Sequence, residues 1–250
     1  MKLVRFAKGR SFMYGVLEGE VVKEILYAPF NGIVFSGEEY PLAELKLLAP
    51  CTPTNIVAVG LNYVQHSVEF GLPQVPDPLL FSKPASSVIG PGDLIVKPDD
   101  CQRLDYEAEM AVVIGKRCRC IKEEEANDYI LGYTCLNDVT ARDIQNRDSQ
   151  WLRAKGFYTF CPVGPWIETE IDPSDLQVKA VLNGEVKQDD RTSNMMFSAQ
   201  FLTAYVSSFM ELQCGDIIST GTPGGIAPMK SGDKIEIYVE GIGSLINYIA

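Results

Sequence analysis

The stretch "RLDYEAEMAVVIG", residues 103–115, constrains this chain more than any other. It sets three acids at alternate positions and then runs into the apolar residues Ala111 to Ile114. Read as a β-strand, it turns Asp105, Glu107 and Glu109 to one face and Tyr106, Ala108 and Met110 to the other. Like charges aligned on one face repel, and uncompensated carboxylates are costly to bury beside an apolar run. Either water solvates the three or a cation neutralises them.

The remaining segments read mostly as strands. "KLVRFA", "FMYGVLEGEVVKEI" and "NGIVFSGEEY" are separated by Gly-bearing turns, with a hairpin at "LEGE". "LLAPCTPTN" reads as a linker, dividing a small N-terminal β domain (1–50) from a main domain (51–250). "NIVAVG" reads as a buried strand and "LNYVQHSVEFG" as a short helix ending at Gly71. "LLFSKPASSVIGPGDLIVKP" holds two short strand-like pieces, and "YTCLNDV" is strand-like. "KEEEANDYILG" is expected to be a helix with acids in its first turn and Gly132 at its end. Thr140 and Asp143 have the spacing of a capping box opening a helix through "ARDIQNRD". In "FSAQFLTAYVSSFMEL", Phe201, Leu202, Tyr205, Val206 and Phe209 fall at helical spacing and are expected to face the core. "DKIEIYVEGIGSLINYI" reads as a terminal hairpin. Strands outnumber helices and do not alternate with them regularly, which favours an α+β, mostly-β core over a doubly wound sheet.

A formal net charge of −11 argues against a partner bound by phosphate neutralisation, so no nucleic acid is expected, and no acidic membrane surface. An acidic chain can still bind an acidic substrate where a metal or a few basic residues reverse the local sign. No segment approaches the roughly 18–20 apolar residues of a membrane span, and the N-terminus lacks the pattern of a secretory signal. Seven scattered cysteines form neither a zinc pattern nor a disulfide framework, consistent with a cytoplasmic chain whose thiols act as small apolar residues.

Glu107 and Glu109 offer hard oxygen ligands, and Asp138 in "LNDVTARD" can add a third from a neighbouring strand end. Three carboxylates without nearby Cys or His suit Mg²⁺ or Mn²⁺ rather than zinc, although a solvated edge strand explains the same spacing. His66 is the single histidine, and Glu69 lies three residues on, where it can orient the imidazole as a general base. Lys155 follows the helix bearing Arg142 and Gln145, a segment that also reads as a solvated basic face. "STGTPGG", residues 219–225, lacks the spacing and lysine of a phosphate loop, so it is a tight turn with Thr222 as a candidate ligand contact.

Taken in order, "VAVGLNYVQHSVE", "FSKPASSVIGPGD", "RLDYEAEMAVVIG", "GYTCLNDVTARDIQ", "RAKGFYTFCPVGPW", "LNGEVKQ", "GDIISTGTPGG" and "EGIGSL" resemble the fumarylacetoacetate hydrolase family over most of residues 50–247. The resemblance implies a mixed β-roll or β-sandwich catalytic domain behind a small N-terminal β domain. It implies a divalent metal on Glu107, Glu109 and Asp138, and a catalytic His66–Glu69 pair on a lid segment. Lys155 is implied as catalytic, with Tyr63, Arg142, Gln145 and Thr222 at substrate-binding positions. "NYVQH" stands where "NYADH" is common, which keeps Asn62, Tyr63 and His66. The expected reaction is metal-dependent C–C hydrolysis of an acylpyruvate-like 2,4-dioxo acid, with His66 activating water. The alternatives are decarboxylation of a 2-oxo dicarboxylate, isomerisation or hydration of a dienoate, and a small-acid-binding protein without catalysis. The expected partners are a small 2-oxo acid and a second copy of the chain, as a homodimer.

Overall fold

Short apolar segments punctuated by glycine can satisfy their backbone only by pairing with one another, and most of this chain does so. A computed structural model describes residues 1–9, 11–64 and 76–250. The first fifty residues form β1 (Lys2–Lys8), β2 (Ser11–Glu18), β3 (Val21–Ile25), β4 (Phe35–Pro41) and β5 (Lys46–Leu47). Next come β6 (Ile56–Gly60), β7 (Leu79–Ser82), β8 (Val88–Ile89), β9 (Leu94–Ile95), β10 (Leu104–Asp105) and β11 (Ala108–Ile114). After β12 (Ile130–Asn137) and β13 (Thr140–Ala141) stand two short helices, α1 (Arg142–Arg147) and α2 (Leu152–Lys155). β14 (Cys161–Glu168), β15 (Gln177–Leu182) and β16 (Glu185–Arg191) precede α3 (Ala199–Phe209). The chain closes with β17 (Ile217–Ser219), β18 (Pro228–Met229), β19 (Lys234–Val239) and β20 (Gly243–Ile249).

The largest sheet runs β4-β3-β2-β1-β14-β12-β11-β17-β6-β7. β11 therefore lies between two partners, antiparallel to both β12 and β17, and all seven of its residues are buried. Its two faces serve two cores, which is why the sequence reads as a continuous apolar run. Met110, Val112 and Ile114 pack with Val178, Ala180, Ile235 and Ile237 of a second sheet, ordered β16-β15-β19-β20-β9. Ala111 and Val113 pack on the other side with Leu3, Val16, Leu136 and Ile217. The N-terminal strands join the large sheet through Lys2 and Leu3 of β1, which pair with Glu168 and Ile167 of β14. The result is the mostly-β, mixed-sheet fold expected. A small third sheet, β13-β10-β18, lays Asp105 opposite Thr140 and so brings the acidic segment beside the loop carrying Asp138. No helix among the described residues is long and apolar enough to cross a membrane.

Four local expectations change. Glu123–Asp128 is a 3-10 helix, and Gly132 lies inside β12 rather than at a helix end. A Cβ at Gly132 would stand 2.3 Å from the Glu168 carbonyl oxygen, so glycine is required there by strand approach and not by a cap. The capping box at Thr140 does not form: Thr140 donates to the Asp138 carbonyl, while Asp143 accepts from the backbone amides of Gln102 and Arg103. In α3, Leu202 and Val206 are buried with Ala199, Thr203 and Ser207, but Phe209 is 58% exposed. Phe201 is half-buried and packs against the core as expected, and from it Tyr205 and Phe209 continue a run of rings along the flank of the helix, at centroid spacings of 5.8 and 6.2 Å. The expected helix over "LNYVQHSVEFG" falls largely on residues 65–75, outside the described residues.

This assignment of faces is testable by thermal or denaturant unfolding. Leu202→Ala is expected to cost about 2–5 kcal/mol of stability. Phe209→Ala is expected to cost less than about 1 kcal/mol. Equal losses would place the core-facing stripe where helical spacing alone put it.

Candidate metal centre

The opening segment is not one strand: Asp105 ends β10, Glu109 lies on β11 of a different sheet, and Glu107 falls in the break between them. All three acids are nevertheless buried, so water is not what reconciles them. Asp105 accepts from Arg103 Nε and Arg142 Nε, each at 2.9 Å. Glu107 accepts from the Arg142 guanidinium on one oxygen and from Lys155 Nζ, at 2.6 Å, on the other. Asp138 is aligned beside them because its backbone amide donates to the Glu107 carbonyl, while the Asn137 side chain accepts from the Glu107 amide. The Asp138 carboxylate accepts from Lys155 Nζ on one oxygen and Lys83 Nζ on the other, both at 2.5 Å. Side-chain cations thus thread between acids in a region that excludes solvent.

Glu109 is held differently. One of its oxygens accepts from Ser219 Oγ at 2.5 Å and from the Gly221 amide at 2.7 Å, both at the end of β17. Neither donor carries a charge. Burial, reinforced by Asp138 and Glu107, pushes the Glu109 carboxyl up to about 8. Lys155 shows the reverse balance: burial works against its charge, but Asp138 and Glu107 outweigh it and hold the ammonium above its ordinary range. Positive charge is therefore missing at Glu109. Ligand oxygens of Glu107, Glu109 and Asp138 all lie within 4.8 Å of one another. A hard, oxygen-only set with one undercompensated carboxylate fits a divalent cation of the Mg²⁺ or Mn²⁺ type.

Glu107 and Glu109 open onto a cavity of about 140 Å³, which Arg142, Gln145, Lys155 and Thr222 also line. One wall is aromatic, with Phe81 edge-on to Trp151 at 5.3 Å and the Lys155 ammonium 5.0 Å from the Phe81 ring centre. Trp151 sits so close over Gly60 that a Cβ there would meet its ring at 2.8 Å.

Seven of the ten residues singled out from sequence therefore converge here: Glu107, Glu109, Asp138, Arg142, Gln145, Lys155 and Thr222. Lys155 lies on no solvated basic face; it is 2% exposed. Tyr63 is fully buried and is not among the described residues lining the cavity, while burial, then Glu109 and Asp190, push its phenol well up. His66 and Glu69 lie outside the described residues. Sequence reasoning passed over Lys83, which is buried between Asp138 and the Lys155 carbonyl. A lysine directly after the strand residues "LLFS" was its only signal. It also passed over Gln188, which braces Thr222 at 2.9 Å.

Residues 55–250 match the model of the fumarylacetoacetate (FAA) hydrolase C-terminal domain, and residues 1–50 match the Rv2993c-like N-terminal domain. The chain belongs to the fumarylacetoacetate hydrolase family. Among solved members, it is similar to a 5-carboxymethyl-2-hydroxymuconate delta-isomerase from Mycobacterium smegmatis, at 42% identity and a TM-score of 0.95 over 100% of this chain and 99% of that one. It is 42% identical over 222 residues to the human mitochondrial oxaloacetate tautomerase FAHD2A, covering 84% of this chain and 71% of that protein. The maleylpyruvate hydrolase of Sphingobium sp. SYK-6, solved with manganese(II) ion and pyruvate, shares 31% identity and a TM-score of 0.82 over 100% and 99% of the two chains.

Two outcomes follow from the charge arrangement. The folded, metal-free protein keeps the Glu109 proton up to about 8, whereas the unfolded chain releases it in the ordinary carboxylate range. Between those limits the folded state binds more protons, so stability without metal falls as pH rises. A cation at Glu109 competes with that proton, so the rise in Tm on adding Mn²⁺ should be larger near about pH 8 than near about pH 5.5. A rise independent of pH, or none, contradicts the site. Separately, Lys83→Met leaves one buried Asp138 oxygen and the Lys155 carbonyl without their donor and the acid cluster short of one positive charge, and should cost about 3–5 kcal/mol in denaturant unfolding. A loss under about 1 kcal/mol, typical of exposed ion pairs, would remove Lys83 from the network.

Proposed function

We propose that this protein is a divalent-metal-dependent hydrolase that cleaves a C–C bond in an acylpyruvate-like 2,4-dioxo acid. The observation that carries the reading is a cavity lined by the buried carboxylates of Glu107 and Glu109, with Asp138 beside them, and by side chains that offer donors. Arg142 has only donors, so Gln145 must turn its carbonyl oxygen to it, at 2.5 Å. That leaves the Gln145 Nε2 hydrogens for the cavity it lines. Lys155 spends two of its N–H groups on Glu107 and Asp138. Its third is available to a ligand oxygen. Such a lining suits a ligand that only accepts hydrogen bonds at this end, as a 2-oxo carboxylate does.

Glu107, Glu109 and Asp138 would hold the cation, which when bound supplies Lewis-acid polarisation of the 2-oxo oxygen. Gln145 and Thr222 orient the carboxylate, and Lys155 donates to the oxygen on which negative charge builds. In the role the family resemblance implies for it, His66 takes a proton from water as its oxygen adds to the distal carbonyl. The bond between that carbon and the methylene then breaks, its electron pair moves into the enolate of pyruvate, and protonation at the methylene completes the products, a carboxylic acid and pyruvate. A second reading is tautomerisation of oxaloacetate, supported by the 42% identity to the human tautomerase. It also passes through a 2-oxo acid enolate, here that of oxaloacetate itself, formed by loss of a C3 proton and completed by protonation on the C2 oxygen, with no attacking water and no C–C bond broken. We also infer a homodimer from the family resemblance, to be checked by sedimentation at twice the 27.6 kDa chain mass.

The test is steady-state turnover of several acylpyruvates and of oxaloacetate, with Mg²⁺ or with EDTA. Acylpyruvate hydrolysis is expected with Mg²⁺ and absent in EDTA. Lys155→Met and His66→Ala should each lower its kcat by about 100-fold or more. Turnover that EDTA leaves intact refutes the metal. Enol–keto exchange of oxaloacetate without hydrolysis of any acylpyruvate moves the conclusion to the second reading, and loss of CO₂ from oxaloacetate alone makes the protein a decarboxylase.

A further inference from the structure

Gln188 lies on β16, outside the cavity, and is 1% exposed. Its three hydrogen bonds fix which end of the amide is which. Oε1 accepts from the Ala108 amide at 2.9 Å, at the head of the strand that carries Glu109. Nε2 donates to the Pro223 carbonyl at 2.7 Å and to Thr222 Oγ1 at 2.9 Å. Turning the amide over would set two donors against each other at Ala108 and two acceptors at Pro223, each leaving buried groups unpaired. The orientation is therefore determined by backbone groups alone, independently of Thr222.

That has a consequence for the hydroxyl. Thr222 Oγ1 receives a hydrogen from Gln188, so its own single hydrogen must point elsewhere. Thr222 is 3% exposed, lines the cavity and has no acceptor for that hydrogen among the described residues. We propose that Gln188 is a positioning residue that makes Thr222 an obligate hydrogen-bond donor into the cavity, selecting ligands with an acceptor-only oxygen at that point against those offering N–H or O–H. The inference rests on the reading that the anionic end of a 2-oxo acid occupies this cavity, and it adds a determinant behind the wall. Gln145 has its polarity set in the same way by Arg142, so two of the cavity's neutral side chains are wired from behind to donate.

Calorimetry on the full chain with Mg²⁺ tests this, using oxalate and oxamate, which differ by an amide NH₂ in place of one carboxylate oxygen. The readout is the ratio of the two dissociation constants, which a general loss of site integrity would not shift in a set direction. Gln188→Met is expected to reduce the preference for oxalate by about tenfold. Thr222→Val should reduce it equally, and the double variant no further. Thr222→Ser, which keeps the hydroxyl, should retain the preference with Gln188 present and lose it when combined with Gln188→Met. An unchanged ratio in Gln188→Met, or additive effects in the double variant, overturns the proposal. Should Gln188→Met fail to fold, a neutron structure of the deuterated wild type decides: a Thr222 deuteron directed at Gln188 refutes it, and one directed into the cavity supports it. Oxalate binding without turnover of any 2-oxo acid sinks the catalytic reading alone, whereas an unmoved ratio sinks the Gln188 role alone.

Discussion

The interleaving of buried acids with buried cations at the head of β11 governs the rest of this molecule. Glu107, Glu109 and Asp138 could not share a dry site without compensation, since the desolvation of each charge costs several kcal/mol (about that order) before any attraction is counted. Lys155 bridges two of them, Arg142 ties Glu107 to Asp105, and Lys83 closes the far side of Asp138. Asp105, at the end of β10, thereby becomes an anchor for Arg142 and Arg103 rather than a member of the ligand set. Only Glu109 keeps uncharged partners, and that asymmetry localises the place for an external cation.

The scaffold makes this arrangement rigid through backbone groups. Gly221 follows β17 with φ of +94°, and a Cβ there would stand 2.8 Å from Asn62 Cβ, so the turn requires glycine. Its amide is then free to reach Glu109. Asn62, itself buried, donates to the carbonyls of Thr220 and Phe197 and accepts from the Phe197 amide. The loop that holds Glu109 and Thr222 is thus clamped by Asn62 on one side and by Gln188 on the other.

Much of this was legible in the chain. The three acids were found from their spacing, but the single strand they were read on breaks at Tyr106 and Glu107, where the chain passes from one sheet to another. The unbroken apolar run after them was a correct sign of burial on both faces. The hairpin at Gly19–Glu20 and the terminal pair of strands followed from turn residues and alternation. What alternation could not supply is which distant residue arrives from the next element. Gln188 carries no local signature and Lys83 only its place after a strand, because their roles are defined by Thr222 and Asp138, dozens of residues away. The expected capping box at Thr140 failed for a related reason: a tertiary demand, two backbone amides at Gln102 and Arg103, claimed the Asp143 carboxylate. Helical spacing likewise found α3 but not the edge of its buried face, since a run of rings that starts on the core at Phe201 can continue through Tyr205 to an exposed Phe209 by ring-to-ring contact alone.

The pairing of β6 with β17 joins Ile56 to Ile217 in parallel register, from opposite thirds of the chain. Parallel contacts between such remote segments form late, after a large loop has been closed. Lys83, Glu107 and Asp138 leave the ribosome well before Ser219, Gly221 and Thr222 do. A nascent chain therefore carries the acid strand through much of its synthesis without the turn that cradles Glu109. The turn at residues 219–222, made after the acidic segment, is what completes the pocket, so the cation would be acquired only once β17 has paired with β6 and β11.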